Sequence, residues 1–345
     1  MFGRSAKSIK VQVFGKTDVG RSREHNEDRF LVADLTRKDA SLQPQVRQHD
    51  LGERGSLFVV ADGMGGAAAG ELASQMATDT IFAHLMKAWN AETEATPQRF
   101  AHRLKEAVEV ANANIHAHAK AHPEVRGMGT TTTAAGVLGD HLYLTQVGDS
   151  RAYLVRGGQA HQLTKDQSLM QRLVEAGELT EEEAAQSERR NIILQALGPD
   201  PKVKVDLTHQ EVRRGDILVL CSDGLSGQVK KDEIAKVVTE AKDLSAACDK
   251  LIALANERGG PDNITVVIAR FDGDGLRLSG GDTQEDVGHQ VYPLIDTETS
   301  TEPVPIYKGS RTPVPNKEMR QQTRTLVLAL IAIIAALVWY FTRSP

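Results

Sequence analysis

Four aspartates stand at the same kind of juncture: Asp62 in LFVVADGMGG, Asp149 in LTQVGDS, Asp223 in ILVLCSDG and Asp262 in GGPDNITVV. Each reads as the C-terminal end of an apolar strand beside a small residue. Carboxylates brought together at a sheet's rim repel one another unless a cation lies between them. Hard divalent cations take oxygen ligands, which points to Mg²⁺ or Mn²⁺. No His/Cys cluster has zinc spacing. A single Asp-Gly pair is ordinary turn chemistry, and Asp149 could equally orient Arg151 in an ion pair. Three or four such ends together point to a shared metal site. In DGMGG, Gly63 would let the backbone approach a metal and offer its carbonyl. Gly65 and Gly66 permit a tight bend before a helix, and Gly259 and Gly260 precede Pro261-Asp262 in the same way. A basic element lies upstream, in RSREHNEDRF (21–30), where Arg23 precedes Asn26, Glu27 and Asp28. A guanidinium fork suits two oxygens of a phosphate; a salt bridge to Glu24 or Glu27 is the plainer use of Arg23.

These segments occur in a telling order: TDVGRSREHNEDRF, VVADGMGG, GMGTTTTAAGV, VGDSRAYLVR, LTKDQSL, LQALG, CSDGLSG and GGPDNITVVIARF. Over residues 10–271 the chain resembles the metal-dependent protein phosphatases of the 2C type, in their bacterial Ser/Thr form. The resemblance implies two packed antiparallel sheets flanked by pairs of helices, and a binuclear Mn²⁺ or Mg²⁺ centre. It implies that Asp62 bridges the two ions, that Asp223 and Asp262 complete one, and that the Gly63 carbonyl serves the other. Glu27 would act through water with Asp28 behind it, Asp149 and Asp223 would hold a third ion, and Arg23 would bind phosphate. Asn263 would orient the loop carrying Asp262. Water activated by the metals would attack phosphorus without a covalent phosphoenzyme. Some eukaryotic members carry a histidine two positions after the bridging aspartate; here that residue is Met64. His25, near Arg23, is a candidate acid, although a solvated histidine is the plainer reading. The segment from His161 to Pro201, which includes Gln167–Ser187 with the acidic stretch TEEEAA, matches a mobile flap beside the active site.

The elements that must position these groups read as follows. Short apolar runs bounded by Gly and Asp predict strands at VQVFGKT, RFLVAD, SLFVVAD, TTTTAAGVL, LYLTQVGD, AYLVR, KVDLTHQEV, DILVLCSD and NITVVIARF. Helices are expected from Gly70 to about Trp89 and from Gln98 to Lys120 behind Pro97, then over Lys231–Glu240 and Leu244–Glu257. Strands and helices do not alternate regularly. That argues for an α+β fold, a four-layer α-β-β-α sandwich, rather than a doubly wound sheet. The charged, aperiodic segment 36–55 reads as a surface loop.

The chain has 345 residues, 40% apolar and 25% charged, with a formal net charge of −5. The apolar content excludes wholesale disorder, and the acidic balance argues against a general nucleic-acid binder. Two cysteines, Cys221 and Cys248, cannot form a disulfide framework, so a reducing compartment is expected. Cys221 is followed by SDGLS and lacks the arginine of a Cys-x5-Arg loop, and it reads as a buried strand residue. The N-terminus lacks the apolar run of a secretory signal. Near the C-terminus, TLVLALIAIIAALVWYF (325–341) is uncharged and would span roughly 25 Å as a helix. Lys317, Arg320 and Arg324 precede it, so the positive-inside rule places the body in the cytoplasm. The expected organisation is a catalytic domain at 1–271, a disordered linker at 272–322 and a transmembrane tail anchor at 323–343, on the cytoplasmic membrane. The leading expectation is a membrane-tethered Ser/Thr phosphatase acting on phosphoproteins and opposing a kinase. A phosphoprotein-binding scaffold without activity and a sensor-coupled phosphatase are the alternatives.

Overall fold

The computed structural model describes residues 8–41, 47–278 and 287–294, all within one unit spanning residues 1–302. Its strands are β1 (Lys10–Asp18), β2 (Arg29–Asp34), β3 (Asp39–Ser41), β4 (Arg47–Asp50), β5 (Ser56–Ala61), β6 (Gly63–Met64), β7 (Gly129–Thr130), β8 (Thr132–Leu138), β9 (His141–Val147), β10 (Arg151–Arg156), β11 (Gln159–Gln162), β12 (Asp206–Glu211), β13 (Ile217–Cys221) and β14 (Ile264–Asp272). Its helices are α1 (Ala67–Ala88), α2 (Pro97–Ala121), α3 (Leu169–Glu175), α4 (Glu181–Gln186), α5 (Asp223–Ser226), α6 (Lys231–Glu240) and α7 (Leu244–Glu257). One six-stranded sheet runs β11-β10-β13-β14-β1-β4 and the other β12-β9-β8-β5-β2-β3, with β6 and β7 paired apart. Every ladder between these strands is antiparallel.

Three apolar layers show how the parts stack. Val11, Val13, Phe58, Val60, Leu218, Leu220, Val267 and Ala269 fill the space between the two sheets. Ala73, Ala77, Ile81 and Leu85 of α1, at spacings of four, join Phe100, Leu104, Val108 and Ile115 of α2 against the outer face of the second sheet. Ile234, Val238, Leu244, Leu251 and Ala255 of α6 and α7 cover the other sheet through Phe14, Val219, Cys221 and Val266. The result is the four-layer α-β-β-α order. It explains why β13 reads as an unbroken apolar run, ILVLC, with all five residues buried. Thr96 caps α2 by accepting from the Arg99 amide, with Pro97 at its first turn, and Asp243 caps α7 through the Ala246 amide.

Two expectations change. The 36–55 segment is not only loop: β3 pairs with β2, and β4 pairs with β1, one at the edge of each sheet. Both strands are short and polar, so no alternation marked them. The expected linker does not begin at 272. Leu276 is buried, and the Gly275 amide donates to the Ser8 carbonyl. Residues 290–292 lie antiparallel along β12, the His209 amide donating to Gln290 O and the Tyr292 amide to Leu207 O. The Tyr292 ring stands edge-on to Tyr143 and His209, at 5.3 and 5.1 Å. Among the described residues no helix is long and apolar enough to cross a membrane; the 325–341 run lies outside them.

Candidate active site

The ladders bring the expected carboxylates to one end of the sandwich. Arg29, opening β2, pairs with Ala61, closing β5; this sets Asp28 beside Asp62. Thr132 of β8 pairs with Val147 of β9, two residues before Asp149. Cys221, ending β13, pairs with both Arg151 and Val266. Asp262 departs from expectation, because it precedes β14 rather than ending a strand. Antiparallel pairing of β14 with β13 carries it to the end where Asp223 emerges.

A second set of residues holds the aspartates in place, and most of it was not anticipated from the sequence. The Thr131 hydroxyl meets the Asp62 amide at 3.2 Å, and the Asp62 carbonyl accepts from the Thr130 hydroxyl at 2.8 Å and from the Thr131 amide. Thr131 bonds in turn to the Ser150 hydroxyl at 2.7 Å, and Gln146 Nε2 donates to the carbonyls of Gly148 and Ser150. Ser222 donates to Asp28 Oδ2 at 2.8 Å and accepts from the Thr265 amide. The run of threonines at 130–133 and the serines beside Asp149 and Asp223 were the available signal. Asn263 was anticipated: its Oδ1 accepts from the Glu27 amide, and its Nδ2 donates to the carbonyls of Val19 and His25. One side chain thus fixes the Arg23–Glu27 loop against Asp262. His25 is exposed and contributes only that carbonyl among the bonds described.

The glycines permit close backbone approaches. A side chain on Gly63 would collide with the carbonyls of Gly70 and Glu27, and one on Gly70 with the Glu27 carboxylate. Gly20, at φ +81°, and Gly224 have no room for a Cβ against the Asp262–Asn263 backbone.

Arg23 pairs with Asp262, Nη2 to Oδ2 at 2.8 Å, while its side chain stays 51% exposed. That bond raises the Arg23 pKa further, so the fork is cationic and open to a ligand. Arg151 does not pair with Asp149. Its fork takes Asp166 instead, at 2.9 and 2.7 Å.

The electrostatics are those of an acidic cluster short of counter-charge. Burial, reinforced by Asp28, Asp223, Asp149 and Asp262, drives the Asp62 carboxyl well above its ordinary range. Burial and then Asp223 push Asp149 up to about 8. Burial pushes Asp28 up to about 7, and burial with Asp262 raises Asp223. The Asp62 and Asp223 carboxyls are close enough for each to bear on the other's charge. Asp223 Oδ1 and Asp28 Oδ1 are buried without a hydrogen-bond partner. Among the described residues no three ligating side chains already close around one point. Even so, this all-oxygen donor set, with orphaned buried oxygens on Asp223 and Asp28, fits a hard divalent cation. Cys221 cannot act as a nucleophile here: it is buried in β13, and burial pushes its thiol up to about 12.

The flap segment carries α3, capped by Ser168, and α4, capped by Thr180 in a reciprocal box with Glu183. Its base is closed by Gln167 and Leu194, which share a backbone bond, and by Leu169 with Ile192.

Comparison with known proteins agrees with this geometry. The Protein phosphatase 2C family model matches residues 32–261. The serine/threonine phosphatase stp of Listeria monocytogenes is 38% identical over 258 residues, 74% of this chain and 94% of that protein. The serine/threonine phosphatase of S. agalactiae superposes with a TM-score of 0.66 at 35% identity, over 75% of this chain and 99% of that one. The catalytic domain of the serine threonine protein phosphatase PstP, solved in complex with 2 manganese ions, gives a TM-score of 0.62 at 36% identity, over 76% and 99%. The chain belongs to the protein phosphatase 2C family.

Proposed function

We propose that this chain is a Mn²⁺- or Mg²⁺-dependent phosphatase of phosphoserine and phosphothreonine in proteins, tethered to the cytoplasmic membrane by its C-terminal segment. The observation that carries the reading is the convergence of Asp62, Asp149, Asp223 and Asp28 with an unpartnered buried Asp223 oxygen. Asp62, Asp223, Asp262 and the Gly63 carbonyl would hold two ions, with Glu27 acting through water and Asp28 behind it; Asp149 and Asp223 would hold a third. Bound divalent ions supply charge for the phosphate oxygens and a water acidic enough to attack phosphorus near neutral pH. Arg23 binds the phosphate oxygens bidentately, held in register by Asp262. Asn263 keeps Arg23, Glu27 and Asp262 in one arrangement, and Thr131 fixes the Asp62 backbone. With Met64 after Gly63, the leaving-group proton would come from a water or from another side chain.

The uncharged 325–341 run and the cations before it support the tether, and the acidic, phosphate-directed site supports phosphoprotein substrates and opposition to a Ser/Thr kinase. Phosphate release from a phosphothreonine peptide, with added Mn²⁺ and with excess chelator, tests the chemistry. Release only with metal is expected; release in chelator, or none in either, overturns it. Deleting residues 322–345 is expected to move the chain from the membrane fraction to the soluble one with activity kept. A deletion variant that stays with the membrane overturns the tether.

A further inference from the structure

An open cleft of about 710 Å³ lies between α2, α3, the start of β12 and residues 289–294. Its apolar surface faces solvent: Leu194 is 48% and Val291 69% exposed, and Tyr292 and Leu294 line the same cleft. Exposed apolar side chains are ordinary when scattered singly and informative when gathered in one place. Four cations ring the cleft: Lys105 of α2, Lys165 before α3, Arg172 of α3 and Lys204 before β12. Three carboxylates line it as well, and each is already held. Asp166 takes the Arg151 fork, which lies outside the cleft. Glu175 takes Lys165 at 3.3 Å, and Asp206 takes Gln167 Nε2 at 2.9 Å and Lys204 at 3.3 Å. Arg172, exposed and near Glu175, adds to the positive excess. The cleft thus offers apolar contact and positive charge on a chain whose formal net charge is −5.

The described residues end at Leu294, on the wall of this cleft. Residues 295–302 follow with the sequence IDTETSTE, which carries three carboxylates, Asp296, Glu298 and Glu302, and no lysine or arginine. We propose that this stretch of the same chain docks in the cleft, with its carboxylates against Lys105, Arg172 and Lys204. The inference is independent of the phosphatase reading. Its starting point is fixed: the Tyr292 amide donates to the Leu207 carbonyl, and Val291 bridges to Thr208. Eight residues reach about 25 Å when extended, enough to cross a cleft of this volume. A short tether holds its end at an effective concentration in the millimolar range. Exposed ion pairs, which contribute little between separate molecules, therefore suffice to keep the cleft filled in cis. A foreign acidic segment enters only by displacing the chain's own.

The test is zero-length carbodiimide cross-linking of the full chain in detergent, read by peptide mass spectrometry on an equal mixture of ¹⁴N- and ¹⁵N-labelled protein. The exposed Lys16–Asp249 ion pair is the internal control for folding and reaction. The wild type should give single-isotope links from Asp296, Glu298 or Glu302 to Lys105, Lys165 or Lys204. Arg172→Glu with Lys204→Glu removes two exposed pairs and should lower the links to Lys105 and Lys165 roughly 3- to 10-fold, with the control link unchanged. Adding Glu298→Lys to that variant should create a link between positions 204 and 298. Control links without links from residues 295–302 overturn the inference. So do links of equal yield to lysines outside the cleft, or yields that the charge reversal leaves unmoved. Mixed-isotope links from these carboxylates mean that a second copy fills the cleft, which overturns docking in cis.

Discussion

The floor of the site and the flap beside it are built by opposite means. On the floor, functional residues are held by partners far away in sequence: Ser222 on the Asp28 carboxylate, Asn263 on the Glu27 amide, Thr131 on the Asp62 amide. In the flap, α3 and α4 are held by bonds three residues apart, Ser168 to Gln171 and Thr180 to Glu183, with mostly exposed side chains. The floor can therefore keep like charges together in desolvated surroundings, which only a cooperative framework sustains. Of the residues in these two helices only Met170 and Ala184 are buried, so few buried contacts hold them to the body. Geometry that must be exact for chemistry is tied into the sandwich, and the segment of α3 and α4 is tied largely to itself beyond the Gln167 bonds to Gly148 and Asp206 at its base.

The largest expected break falls on the floor. Asp223→Ala is expected to lower kcat for a phosphothreonine peptide by at least about 100-fold, as loss of a metal-held nucleophile should. Steady-state phosphate release measures it, and near-normal turnover removes Asp223 from the centre. Next comes the framework itself. Asn263→Ala loses three hydrogen bonds, to Glu27, Val19 and His25, and should destabilise the chain by about 2–3 kcal/mol. Urea unfolding at constant m-value reads this directly; an unchanged midpoint means the Arg23 loop is held by other means.

The pH dependence of the metal-free chain has a defined sign. Asp28 and Asp149 are raised from 3.8 to about 7 and about 8, so the folded state holds protons that the unfolded state releases. Their contribution is full below about pH 4 and is lost as pH rises through about 7 and 8, so stability falls across that window. Urea midpoints in chelator between pH 4 and pH 9 check this, and a rise with pH contradicts it. The smallest effect belongs to the flap. Thr180→Ala removes a cap worth about 0.5–2 kcal/mol to α4, and should speed exchange over 181–186 while leaving the global unfolding midpoint in place.

Much of the floor was legible before its geometry was known. Asp62, Asp149 and Asp223 close apolar runs, and β2, α6 and α7 fall on the boundaries that periodicity and caps predict. The choice of partner was not legible. Nothing in VGDSRAYLVR says that Arg151 takes Asp166 and leaves Asp149 to the acidic cluster. Ser222 and Asp28 are 194 residues apart, and the packing of the sheet that holds β13 on the sheet that holds β2 brings them together. Residues 290–292 carry no period at all. They meet β12 through backbone bonds and the Tyr292 ring, and a composition-based reading assigns them to linker.

The most direct test of the central claim, that these buried carboxylates form a divalent-cation site, is the thermal unfolding midpoint of the chain at pH 8 with and without Mn²⁺. An ion at 100 times its Kd adds about 2.7 kcal/mol, which should raise the midpoint by roughly 5–10 °C in a domain of this size. Replacing Asp62 with Asn should abolish most of that rise. Equal midpoints with and without the ion would contradict the account.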